Sequence, residues 1–113
     1  MRDTRPVNWL NAARRDFDDF PPAARIKAAD ALTRIAEGKT PEIAKPLTGL
    51  GAGVWELAIR AAGEAYRVVY ALQLGDEIWV IHAFQKKSKS GIATPKHEID
   101  VVRARLKRLK EPR

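Results

Sequence analysis

Cysteine is absent from the 113 residues. That removes disulfides, thiolate nucleophiles and cysteine-ligated zinc together, and it fits a reducing compartment. The chain is still long enough to bury a core without such staples. Histidine is nearly absent as well: only His82 and His97 occur, neither at metal-ligand spacing within a carboxylate cluster, so no metal and no other cofactor is expected. The N-terminal MRDTRPVNWL contains no long apolar stretch, which predicts neither a secretory signal nor a membrane span. These absences together read as a cytoplasmic protein with no membrane partner. Phosphate-cradling glycine loops, dinucleotide fingerprints and nucleophile elbows are all missing. With no repeat and no long linker, residues 1–113 read as a single domain.

What is present is charge of one sign in one place. The formal net charge is +7. Residues 1–85 hold 11 Lys/Arg and 11 Asp/Glu, which cancel; residues 86–113 hold 10 Lys/Arg against Glu98, Asp100 and Glu111, so the whole excess lies there. A solvated basic helix accounts for such a run, and so does an electrostatic footprint for a polyanion such as nucleic acid.

The remaining pattern predicts an α+β fold. RPVNWL (5–10) reads as a short strand, with Pro6 suggesting an edge. NAARRDFDDF reads as a short helix capped by Asn11 and stopped by Pro21-Pro22, and a second helix runs from Pro22 to Glu37 on a stripe of Ala28, Ala29, Leu32, Ile35 and Ala36. Residues 39–53, rich in proline and glycine, read as a loop. VWELAIR alternates with period 2, and AYRVVYALQL and EIWVIHAF follow after short turns, which predicts an antiparallel meander. A last helix begins at Thr94-Pro95, with the threonine hydroxyl as cap, and carries Ile99, Val102, Leu106 and Leu109 on one stripe. Trp9, Trp55 and Trp79 lie in strand-like runs and read as packing residues, with base stacking the minor alternative for Trp79.

Several motifs in this order carry a resemblance. They are R-D-F-x-x-F-P at Arg15–Pro21, K-P-L-x-G-L-G-x-G at Lys45–Gly53, the W-E-L strand, Y-R-V-x-Y, F-x-K-K, and T-P-K-x-E-I opening the last helix. The sequence resembles the RelE/ParE superfamily of type II toxins, in its phage-derived, HigB-like branch, across nearly its whole length. The resemblance implies a RelE-like fold with an N-terminal strand and helical hairpin, an antiparallel meander and a C-terminal helix. It also implies a metal-independent, ribosome-dependent mRNA endonuclease, in which a 2′-hydroxyl attacks the adjacent phosphate. The implied partners are mRNA, the ribosome and a cognate antitoxin, a helix-turn-helix protein that forms a toxin–antitoxin hetero-oligomer.

Carried over residue by residue, Arg67 matches the strand arginine that contacts the scissile phosphate. Lys87 matches the basic residue directed to the leaving group or phosphate. Guanidinium and ammonium groups suit that task as fixed electrostatic partners of phosphoryl oxygens. Lys86, Lys89 and Lys96 are expected on the RNA backbone, and Arg60 in either group. Relatives of the RelE type place lysines where this chain has Glu56 and Ala58, and a late tyrosine where none follows Tyr70. Glu56 is therefore a candidate base, or else an ion-pair partner of Arg60 on the strand face. His97, in the first turn of the basic helix, is the candidate to replace the tyrosine. His82, inside an apolar strand, reads as structural. Two other functions stay open: a ParE-like gyrase poison, which needs no nuclease residues, and a non-catalytic nucleic-acid-binding module built on the basic helix.

Overall fold

The computed structural model describes residues 4–87 and 93–111. Within them a five-stranded sheet runs in the order β1-β5-β4-β3-β2. The strands are β1 (Val7–Trp9), β2 (Ala44–Pro46), β3 (Val54–Ala61), β4 (Glu64–Leu74) and β5 (Glu77–Lys86). The helices are α1 (Asn11–Asp18), α2 (Pro22–Ala36) and α3 (Lys96–Lys110). The expected meander is present as antiparallel β3-β4-β5, and β1 forms an edge by pairing parallel to Ile78–Val80. β2 falls inside the stretch read as loop, where Ala44–Pro46 pairs antiparallel to Trp55–Leu57. Three residues containing a proline are too few to show a period in sequence.

Period-2 alternation sorts the sheet into two buried faces. Leu57, Ile59, Tyr66, Val68, Tyr70, Ile78 and Val80 pack against the α1–α2 hairpin. That hairpin contributes Phe17, Phe20, Leu32 and Ile35 together with Ala13, Ala24, Ala28 and Ala31, small residues that let the helices lie close. Val54, Val69, Ala71, Ile81 and Phe84 on the other face are covered by Val102 and Leu106 of α3 and by Leu47 and Leu50. The polar residues of β3 and β4 are thereby turned towards α3.

Two caps differ from expectation. α1 starts after Leu10, so Asn11 is its first helical residue and not its cap. α3 is preceded by Pro95, with no side-chain cap, because the Thr94 hydroxyl is spent elsewhere. The β3–β4 turn places Ala62 at φ 54 and Gly63 at φ 77, the paired left-handed residues of a two-residue hairpin loop. Between β4 and β5 the register shifts: Val69 faces His82 while Tyr70 faces Val80, leaving Ile81 as a bulge residue. Ile81 consequently joins the α3-side core, and His82 also turns to α3.

Candidate functional site

The α3-facing side of the meander is organised in cross-strand rows. Arg60, Ala65 and Lys86 form one; Ala58, Arg67 and Phe84 the next; Glu56, Val69 and His82 the third. Alanine at 58 and 65 leaves room beside Arg67, and its side chain crosses diagonally to Glu56, a reach available to long side chains two positions apart on paired strands. Arg67 Nη1 donates to Glu56 Oε1 at 2.8 Å. Thr94 Oγ1 donates to Glu56 Oε2 at 2.6 Å, and Lys45 Nζ of β2 stands 3.8 Å from Oε1. Glu56 is only 2% exposed and Arg67 6%. One carboxylate thus gathers cations and a hydroxyl from β2, β4 and the start of α3. Burial of such a pair is sustained because both of its oxygens are satisfied.

A second polar cluster lies on the next row. Arg105 Nη1 stands 3.0 Å from His82 Nδ1 and donates to the Ile81 carbonyl at 3.0 Å. A guanidinium only donates, so Nδ1 is the acceptor and the ring proton sits on Nε2, which donates to Glu98 Oε1 at 2.7 Å. Phe84 stacks on the ring, with centroids 5.1 Å apart. Burial pushes the His82 pKa down from 6.5; the Glu98 hydrogen bond opposes this, and the nearby Arg105 charge adds to it. The imidazole is held neutral in one tautomer and ties α3 to β5. His82 therefore has the structural place expected of it. Its partners Glu98 and Arg105 are seven positions apart, on one face of α3, a spacing that sequence reasoning passed over.

The sequence-derived candidates are distributed as follows. Glu56 and Arg67 come together, but as a buried pair, so Arg67 is no solvent-facing strand residue and Glu56 pairs with Arg67 instead of Arg60. Arg60 is exposed, and its carbonyl accepts from Lys27 Nζ at 2.6 Å. Lys86 is buried, on the Arg67 face of the adjacent strand. Lys87, just past the end of β5, is exposed. Lys96 is exposed and bonded to Asp100 at 2.9 Å, and His97 is exposed in the first turn of α3. Lys89 lies outside the described residues. Thr94 and Lys45 are the additions that the structure makes to the cluster. Among the described residues no group of three or more His, Cys, Asp or Glu could hold a metal ion, and no helix is long and apolar enough to cross a membrane.

Comparison with known proteins now adds to this geometry. No curated protein sequence matches the chain significantly. Seven chains of solved structures do match. One is a mutant of the E. coli toxin RelE in the free state, with 16% identity over 94% of this chain and 98% of that one, and a TM-score of 0.65. Another belongs to the toxin–antitoxin complex RelBE2 of Mycobacterium tuberculosis, with 24% identity over 74% of this chain and 99% of that one, at a TM-score of 0.47. The first likeness bears out the expected RelE-like α+β fold. Residues 15–107 match the family model described as phage-derived protein Gp49-like (DUF891). That match spans the second half of α1, all of α2, the meander and most of α3, and the chain belongs to the phage-derived Gp49-like family.

Proposed function

We propose that this chain is the toxin of a type II toxin–antitoxin pair and cleaves mRNA on the ribosome without a metal ion. The observation that carries this reading is the set of Arg67, Glu56 and Lys86 on one face of a RelE-like sheet, with Lys87 directly beyond. In this reading Arg67 and Lys87 neutralise the scissile phosphate, and Glu56 takes the 2′-hydroxyl proton as that oxygen attacks phosphorus. His97, on the exposed first turn of α3, protonates the leaving 5′-oxygen. Lys86, Lys89, Lys96 and Arg60 hold backbone phosphates, each adding salt dependence. Because Arg67 is buried, a phosphate reaches it only when the Thr94 end of α3 moves off Glu56. A helix-turn-helix antitoxin is the proposed neutralising partner, masking this face or displacing α3 in a hetero-oligomer.

One observation favours a second reading. A buried Arg67 fully engaged by Glu56 is equally an ordinary structural ion pair, which suits a ParE-like gyrase poison that needs no nuclease residues. Inducing the protein in cells and mapping mRNA 5′ ends separates the two. Codon-phased cuts support the nuclease. Intact mRNA with DNA-damage signalling supports gyrase poisoning, and neither effect leaves the non-catalytic binding module.

A further inference from the structure

Glu56 has two cationic partners, Arg67 and Lys45, and they differ in accessibility. The Arg67 side chain is 7% exposed and donates to Glu56 Oε1 at 2.8 Å, so it is committed to the carboxylate. Lys45 stands directly opposite Glu56 in the β2–β3 ladder, and cross-strand partners share a face of the sheet. Its side chain is 39% exposed, and the ammonium lies 3.8 Å from the same Oε1, beyond hydrogen-bond range. Among the described residues nothing accepts a hydrogen bond from it, so its three N–H donors are open to an anion.

The surroundings point the same way. β2 ends the sheet, and no described strand lies beyond it. The other oxygen of the carboxylate is held by Thr94 from the α3 side. Whatever brings a hydroxyl to Glu56 therefore comes within reach of the Lys45 ammonium, whether or not Arg67 has been uncovered. An ion pair this long and this exposed adds little to stability, so the fold alone does not account for a cation here.

We propose that Lys45 is a further catalytic residue, whose ammonium steadies the negative charge that grows on the attacking 2′-oxygen. The assignment rests on the nuclease reading above. In the step, the 2′-O–H bond breaks and its proton passes to Glu56 while the 2′-oxygen bonds to phosphorus. The bond from phosphorus to the 5′-oxygen breaks, and that oxygen takes a proton from His97. The products carry a 2′,3′-cyclic phosphate and a 5′-hydroxyl. A fixed cation placed where charge develops acts on the transition state more than on the bound substrate. Lys45 thus governs the maximal rate, while affinity is left to the cations on backbone phosphates.

The test is single-turnover cleavage of a short mRNA on programmed ribosomes by the full chain, read as maximal rate and half-saturating protein concentration. Lys45→Met should lower the maximal rate by about 100-fold, as for the loss of one preorganised charge donor, and leave half-saturation within about threefold. Lys45→Arg, which keeps the charge, should retain about a tenth of the wild-type rate or more. The urea midpoint of Lys45→Met should match that of the wild type, because the residue is exposed. An unchanged rate in Lys45→Met beside a cutting wild type would overturn the role of Lys45 and leave the nuclease reading standing. So would a loss confined to half-saturation, a Lys45→Arg protein no faster than Lys45→Met, or a urea midpoint that falls with the rate. A wild type that cuts nothing, or that cuts a substrate with a 2′-deoxynucleotide at the cleavage position, would overturn both.

Discussion

Replacing Glu56 with glutamine keeps the shape of the side chain and an acceptor for the Thr94 hydroxyl, but removes the charge opposite Arg67. The guanidinium is 6% exposed, so water cannot take over the solvation that the carboxylate supplied. Breaking one side of a buried pair costs about 3–5 kcal/mol. A domain of this size holds roughly 5–15 kcal/mol of net stability, so the loss is a large share of the whole. With a urea slope of about 1–3 kcal/mol per molar, the unfolding midpoint should fall by more than ~1 M. The companion Arg67→Gln creates the opposite imbalance, and Glu56→Gln/Arg67→Gln should recover part of the loss, with a coupling energy of about 2 kcal/mol. Urea unfolding of the four proteins, followed by tryptophan fluorescence, measures the cycle. A loss under about 1 kcal/mol for Glu56→Gln, or a coupling within the usual additivity error of about 0.5 kcal/mol, would refute the buried-pair reasoning.

Three further outcomes follow from single residues. His82 has its folded pKa below the ordinary 6.5, so below that pH the unfolded chain binds the extra proton first. Stability should drop as pH falls through 6.5 and level off below the folded value, and His82→Gln should flatten that slope in urea titrations at pH 5 to 8. Tyr70 is 1% exposed, and burial pushes its pKa up from 10.0 to about 12. Stability should therefore decline as pH rises above 10, less steeply in Tyr70→Phe, and parallel slopes would exclude the phenol as the cause. Ala62 sits at φ 54, where a side chain costs about 1 kcal/mol and asparagine is better tolerated. Ala62→Asn should raise Tm by a few degrees (roughly 4 °C), measured by thermal circular dichroism.

The sequence spoke most clearly where one residue's neighbours decide its state. Trp55, Leu57 and Ile59 announced β3 by alternation, and Tyr66, Val68 and Tyr70 correctly set Arg67 on the opposite face. What alternation could not give was what lies above that face. Glu56 is met by Thr94, which returns to it from 38 positions away in sequence, and strand periodicity carries no trace of that return. Thr94 shows the same limit. Next to a proline and a helical stripe it has the local character of a cap, yet a buried carboxylate offers its hydroxyl a stronger acceptor than a backbone N–H. β2 was hidden by its three-residue length. The pairing of His82 with Glu98 and Arg105 was in principle readable, since all three fall on facing surfaces once the bulge at Ile81 is allowed for. That bulge depends on strand register, which single-strand patterns leave open.

The most direct measurement is the map of mRNA 5′ ends after induction of the wild-type chain beside Lys87→Ala. Lys87 is exposed, so its loss should leave stability unchanged and isolate the chemistry. Codon-phased ends in the wild type that disappear in the folded Lys87→Ala protein are the result this account predicts. Growth arrest with intact mRNA, or cuts that persist unchanged without Lys87, would contradict it.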